Sequence, residues 1–226
     1  MGWSPQDRMI AEIEEEARAT ARYTGRPAFS ERVMAALRKV RREEFVPESE
    51  RDLAYVNGPL PIGYGQTISQ PYIVALMTDL IDPEPTDVVL EIGTGSGYQA
   101  AVLAELVSEV YSIEVVPELA EEAARRLQRL GYRNIHVRSG DGNLGWPEHA
   151  PYDGIVVTAG GRAVPPALVD QLKPGGRMVI PIGRWPREQE LTIVAKDPEG
   201  AVSSRGILPV AFVPLVEEAI DGRLDR

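Results

Sequence analysis

Two carboxylates and three glycines in one short stretch have the types and spacing to hold a nucleoside. Val88-Val89-Leu90-Glu91-Ile92 is an apolar strand that runs into Gly93-Thr94-Gly95-Ser96-Gly97-Tyr98, and Val110-Tyr111-Ser112-Ile113-Glu114 is a second apolar strand that closes on an acid. With a helix between them, this reads as one βαβ unit with a nucleotide site at the strand ends. Gly93, Gly95 and Gly97 supply positive φ and room for a ligand to reach main chain, with Thr94 inside the same turn. Glu114 follows Gly97 at close to the ~20-residue spacing at which a strand-end acid meets ribose hydroxyls. A carboxylate suits that role because charged acceptors make the stronger hydrogen bonds.

The pattern separates two kinds of cofactor. A dinucleotide fingerprint is G-x-G-x-x-G, and its third Gly lets the helix pack close to the strand. This chain has G-x-G-x-G, with Tyr98 and Gln99 in the next two places. Glu91, just before the first Gly, would repel a pyrophosphate but suits the ammonium-bearing end of a cationic cofactor. S-adenosylmethionine carries a sulfonium, an amino group and a ribose, so its charges match Glu91 and Glu114. The plainer alternative is a Gly-rich turn with no ligand. Asp141, in Ser139-Gly140-Asp141-Gly142 after the third core strand, is placed to bond an adenine amino group, although Asp between glycines also makes an ordinary turn. Loop 63–71 offers Thr67, Ser69 and Gln70 as hydrogen bonders beside the cofactor strand, and such loops carry function. The competing reading of Ser69 is a plain cap for the helix that follows.

These groups need a scaffold. Residues 5–22 are polar and helix-forming, with Ile10, Ile13 and Ala17 on one face. The run Glu12, Glu14, Glu15, Glu16 reads as a solvated face. Ser30 is placed to cap a helix over 31–41. Residues 53–71, rich in Gly, Pro and Tyr, read as loop with short strands, and a helix follows at 71–81. Strands at 88–92, 110–114, 134–138, 154–158 and 177–181 then alternate with helices at 98–107, 117–130 and 164–171, and strands near 190–195 and 208–213 end the fold. Lys173-Pro174-Gly175-Gly176 reads as a structural turn into the strand at 177–181, and Asp153 as structural. The fold class is α/β: a doubly wound, mostly parallel sheet with the ligand at the carboxyl ends of its strands and an N-terminal helical extension. One domain is expected over 1–226. Its parts are a helical region to 50, a substrate-loop region 51–82, a Rossmann-like core 83–216 and a tail 217–226.

Composition removes other classes of function. Of 226 residues none is cysteine, which excludes disulfides, thiolate catalysis and Cys-based zinc sites. His136 and His149 are too few for most metal sites and read as structural or surface groups, so no metal is expected. A net charge of −10 argues against a general binder of nucleic acid or anionic membranes. No apolar run is long enough to span a membrane, and the charged N-terminus is unlike a signal peptide, so a cytoplasmic location is expected.

The loop carries the narrowest signal. Gly65-Gln66-Thr67-Ile68-Ser69-Gln70-Pro71 resembles the hallmark of the protein-L-isoaspartate O-methyltransferases. The resemblance covers roughly residues 30–215. It takes in Arg42-Glu43-Glu44-Phe45-Val46-Pro47, Leu60-Pro61-Ile62-Gly63, Leu90 to Ala101, Gly140-Asp141-Gly142, Gly145-Trp146-Pro147, Gln171-Leu172 and Phe212-Val213-Pro214-Leu215. The segment through about residue 25 and Glu217-Glu218 are less typical.

The resemblance implies an S-adenosylmethionine-dependent methyltransferase of Rossmann-like type that acts on isoaspartyl-containing proteins and peptides. Ser69 would be the active-site serine, with Thr67, Ile68 and Gln70 in the same substrate loop. Glu91, Gly93, Thr94, Gly95, Gly97, Glu114, Asp141 and Gly142 would line the cofactor site. The acceptor would be the free α-carboxylate of an L-isoaspartyl residue, and the ester would lead through a succinimide to L-aspartyl. A carboxylate is already ionised at neutral pH, so a loop with no His, Cys or Lys suffices. The residues alone leave two alternatives open: a methyltransferase of a small-molecule acceptor, and a cofactor-binding protein that kept the fold without catalysis.

Overall fold

The computed structural model describes residues 2–184 and 188–216. Among them lie six α-helices and nine strands. α1 (Pro5–Thr24) starts where Ser4 and Asp7 cap each other and stops at Gly25, φ 69°. It buries Met9, Ile10, Ile13 and Ala17, the stripe that its spacing gives. α2 (Glu31–Lys39) begins at Ser30, whose hydroxyl accepts the Val33 N–H. Two 3₁₀ turns, Arg42–Phe45 and Glu48–Leu53, lead into an antiparallel hairpin of β1 (Leu60–Gly63) and β2 (Gln66–Ile68). α3 (Pro71–Leu80) follows and is buried almost all round.

The chain then alternates: β3 (Val88–Ile92), α4 (Tyr98–Ala104), β4 (Glu109–Glu114), α5 (Pro117–Arg129), β5 (Ile135–Ser139), β6 (Tyr152–Val157), α6 (Pro166–Gln171), β7 (Leu172–Arg184), β8 (Glu188–Lys196) and β9 (Val202–Val210). The sheet order is β5-β4-β3-β6-β7-β8-β9. Pairs from β5 to β7 are parallel, and β7–β8 and β8–β9 are antiparallel. The winding starts at β3, runs out to β5, and returns to β6. The order therefore reverses between β3 and β6, and the crevice outside their carboxyl ends is where such a sheet binds its ligand.

The two faces of the sheet are covered unequally. Val89, Val110, Val156 and Val179 pack beneath the first five helices, in one cluster with Met9, Leu37, Tyr72, Leu76, Val102 and Leu127. The opposite face, with Leu90, Ile92, Ile113, Ile155 and Met178, meets Leu168 of α6 and Trp146. That layer is thin because two 3₁₀ turns, Gly142–Leu144 and Pro147–His149, stand between β5 and β6 in place of a helix. Tyr111 fills the space, stacked between His136 and His149 at centroid distances of 4.9 and 4.0 Å.

The largest departures from the expected boundaries are in two strands. The strand expected at 208–213 runs from Val202 to Val210 instead. It pairs only with β8 and is exposed along most of its length, so hydrophobicity does not mark it. Phe212–Leu215 leave the sheet and cross the strand ends: Gly160 N–H donates to Val213 O at 2.8 Å, and Leu215 N–H to Gly160 O at 2.9 Å. Lys173–Gly176 is not a free turn but the start of β7, where the pairing with β6 slips between Tyr152 and Gly154. Asp153 is structural, accepting Val88 N–H at 3.0 Å and Lys173 Nζ at 2.6 Å. The tail 217–226, with Glu217-Glu218, lies outside the described residues. Among the described residues no helix is long and apolar enough to cross a membrane, and no cluster of metal-binding side chains is present.

Candidate active site

The glycine turn is fixed from three sides. Gly93, φ 93°, stands where a Cβ would come within 2.3 Å of Thr158 Oγ1, so only Gly fits. Thr158, just beyond β6, donates its hydroxyl to Gly93 O at 2.7 Å and reaches Ile92 O at 3.0 Å. This locks β3 to β6 at the point where the sheet order reverses. Thr94 is buried, with Oγ1 2.5 Å from Ser112 Oγ. Gly95 N–H donates to Glu114 Oε2 at 2.8 Å, and Val116 N–H to Glu114 Oε1 at 3.0 Å. Gly97 caps α4. The Glu114 carboxylate is thus held at the end of β4 with a lone pair left on each oxygen. Burial raises its pKa above the ordinary value, against the opposing pull of those amides.

Glu91 lies deeper. It is fully buried, Ser112 Oγ donates to its Oε2, and its Oε1 has no partner. Burial is the chief reason that its pKa is pushed up to about 8, and the Glu114 charge acts in the same direction. The carboxyl is therefore largely neutral at pH 7. The structure does not bring it to the surface of the cleft; it reaches the glycine turn through Ser112 and Thr94. Asp141 accepts Asn143 N–H and Asn143 Nδ2 on one oxygen, Oδ1, both at 2.8 Å. Its Oδ2 remains as the acceptor at the end of β5. Gly142 is buried where a Cβ would stand 2.3 Å from Ile92 Cγ2, so packing against β3 sets its size.

The hairpin folds over this turn, with Ile62 Cδ1 3.3 Å from where a Gly95 Cβ would stand. A cavity of about 40 Å³ separates Thr67, Ile68 and Ser69 from Gly93–Ser96 and Thr158. The structure thus sets the hallmark loop against the cofactor turn. Ile68 is buried, Thr67 exposed, and Ser69 and Gln70 half-buried. The cap of α3 is Gln70, without a side-chain cap bond, so the Ser69 hydroxyl is not spent on capping. Ser69 O accepts from Arg42 Nη2 at 2.9 Å. A larger cavity of about 780 Å³, lined by Lys39, Glu44, Glu105, Glu109 and Tyr132 among others, lies at the amino ends of β4 and β5. It stands apart from this chemistry.

Several contributors escape a reading of the sequence. Ser112 had a signal, since it alternates with Glu114 on one face of β4. Thr158 had its place after an apolar run and, in Val157-Thr158-Ala159, a share in the resemblance, but no role. Gln171 carries the resemblance but nothing there gives its role: its Oε1 accepts Trp146 N–H at 2.8 Å and its Nε2 donates to Leu144 O at 2.8 Å, which holds the β5–β6 connection. Glu16 is not a solvated face like its neighbours, because Asn57 Nδ2 and Gln70 Nε2 both donate to its Oε2 at 2.9 Å.

A glycine cradle with carboxylate acceptors at the ends of β4 and β5 fits S-adenosylmethionine in the chemistry of its donors and acceptors. The family model described as protein-L-isoaspartate(D-aspartate) O-methyltransferase matches residues 20–220. A protein-L-isoaspartate O-methyltransferase 2 of Syntrophobacter fumaroxidans is 61% identical over 208 residues, 92% of this chain and 84% of that one. Another, of a Polaromonas species, is 59% identical over 207 residues, 92% of this chain and 98% of its own length. A solved protein-L-isoaspartate O-methyltransferase superposes with a TM-score of 0.82 at 29% identity, over 94% of this chain and 66% of that one. A putative one from Plasmodium falciparum, solved with S-adenosyl-L-homocysteine, shares the fold at a TM-score of 0.75 and 24% identity, over 91% and 97%. With its glycine turn, its serine loop and these relatives in agreement, the chain belongs to the protein-L-isoaspartate(D-aspartate) O-methyltransferase family.

Proposed function

We infer that the chain methylates the free α-carboxylate of L-isoaspartyl residues in damaged proteins and peptides, with Ser69 orienting the acceptor. The observation that carries this reading is the placement of Thr67 and Ser69 across one small cavity from Gly93–Ser96 and Thr158. Bound S-adenosylmethionine supplies an electrophilic methyl group. Glu114, Asp141 and the glycine turn would hold it. The acceptor needs no general base, because a carboxylate with a reference pKa near 4 is ionised at neutral pH. The lining of the cavity accords with this: among the described residues it contains no His, Lys or Arg.

What remains for the protein is alignment. The Ser69 hydroxyl donates to one carboxylate oxygen and directs the other toward the methyl, a proximity effect. Thr67 on β2, two residues earlier, offers a second hydroxyl. Ile62 of the hairpin packs over Gly95, and an apolar cover of this kind strengthens charged contacts beneath it. The product is a methyl ester. The neighbouring backbone nitrogen attacks it, methanol leaves, and the resulting succinimide opens in part to L-aspartyl.

Ser69→Ala tests the role directly. Its kcat on an L-isoaspartyl peptide is expected to fall by about 100-fold, with the Kd for S-adenosylmethionine essentially unchanged. An equal loss of cofactor affinity in a folded variant would remove the orienting role.

A further inference from the structure

The base of the β1–β2 hairpin is fastened twice, from elements that precede it in the chain. Glu16 on α1 offers one oxygen, Oε2, to Asn57 Nδ2 and Gln70 Nε2, each at 2.9 Å. Arg42 offers one nitrogen, Nη2, to Gly58 O at 3.3 Å and Ser69 O at 2.9 Å. Residues 57 and 58 lead into the hairpin, and 69 and 70 lead out. Each side chain therefore bridges the incoming and outgoing legs, one as acceptor and one as donor. Asn57 extends the fastening. Its Oδ1 accepts Tyr72 N–H at 3.0 Å, and Tyr72 OH lies 2.6 Å from Thr20 Oγ1, back on α1.

We propose that Glu16 is a positioning residue for methyl transfer: it fixes the hairpin's base so that Ser69 meets the glycine turn at one angle. This rests on the role inferred above for the Ser69 loop. A two-stranded hairpin with strands of four and three residues does not hold its own position. Its tip, Gly63-Tyr64-Gly65, has all three residues at positive φ and is exposed. The position of Ser69 is therefore set from outside the hairpin. Hydrogen bonds to an ionised carboxylate are about twice as strong as neutral ones, and both of these fall on the residue next to Ser69 and its counterpart across the base. Arg42 is fully buried, and its loss would disturb packing against Tyr98 as well. Glu16 is half-buried at the margin and separable from the core. Its neighbour Glu14 turns instead to Arg38, at 3.3 Å. Glu16 also precedes the segment that the family model matches, which begins at residue 20. Support for the loop thus comes from a part of the chain outside that segment.

The test compares Glu16→Ala, Glu16→Gln and, as control, Glu12→Ala on an L-isoaspartyl peptide. Glu16→Ala is expected to lower kcat/KM by about tenfold or more while the Kd for S-adenosylmethionine stays within about twofold. Glu16→Gln keeps a carbonyl oxygen that accepts the same two amides and is expected to recover most of the loss; Glu12→Ala is expected to match the parent. Amide hydrogen exchange over 57–70 is expected to quicken in Glu16→Ala while β3–β7 keep their protection. Should Glu16→Ala fail to fold, Gln70→Ala removes the same tie from the other side and is expected to give the same exchange pattern. Unchanged exchange over 57–70, unchanged kcat/KM, a parallel loss of cofactor affinity, or a Gln variant no better than Ala would each overturn the proposal. A parent that left the peptide unmethylated would instead overturn the inferred activity, and exchange alone would then decide the role of Glu16.

Discussion

Glu91, Ser112 and Thr94 form a buried chain of a carboxyl and two hydroxyls behind the glycine turn. An acid just before the first glycine suggests a direct contact with a cationic cofactor. The structure buries that acid completely and links it to the turn through two hydroxyls. Burial holds its pKa in the folded state at about 8, above the ordinary value of 4.5. The folded protein therefore holds more protons than the unfolded chain between those two values, and stability from this group falls as pH rises from about 4.5 through about 8. Glu91→Gln keeps the acceptor for Ser112 but cannot ionise. Urea unfolding of parent and variant without cofactor at pH 5, 7 and 8.5 is expected to show the variant gaining on the parent as pH rises. A difference in stability that stays constant across that range would mean that Glu91 does not carry a raised pKa.

At the scale of elements, the join between β3 and β6 is the part least open to change. Gly93→Ala places a methyl group 2.3 Å from Thr158 Oγ1, at φ 93°. A loss of about 1–3 kcal/mol of stability is expected from the backbone strain alone, together with weaker binding of S-adenosylmethionine by calorimetry. Adding Thr158→Ala removes the clash but not the strain, so partial recovery is expected. A Gly93→Ala variant that bound the cofactor like the parent would show that the turn is not part of its site. The elements most legible in the sequence are the ones that such constraints govern. The glycine turn, the apolar strands β3, β4 and β6, and the serine loop before α3 all declare themselves by local pattern. The full extent of β9 does not, because an exposed edge strand with Ser203, Ser204 and Arg205 lacks an apolar run. The tie from Glu16 to Gln70 does not either. It joins residues 54 apart in sequence, and nothing in the run of four glutamates singles out the last.

The whole molecule reads as one scaffold for one pair of loops. A single core cluster runs from Met9 on α1 to Ile207 on β9, so the N-terminal helices belong to the same packed body as the sheet. They cover one face and reach the hairpin from behind through Glu16 and Arg42. At the same end of the sheet, Phe212–Leu215 fold across the strand termini, held by Gln189, whose Oε1 accepts Phe212 N–H at 2.6 Å. Serine loop, glycine turn and C-terminal segment thus converge where the strand order reverses, and the expected consequence is selection of one carboxylate geometry over another. Methyl transfer from labelled S-adenosylmethionine to two synthetic peptides, alike except for one L-isoaspartyl or one L-aspartyl residue, tests this most directly. Base-labile label on the isoaspartyl peptide alone is expected. Equal label on both peptides, or none on either with the cofactor bound, would rule out the isoaspartyl α-carboxylate as the acceptor that this site selects.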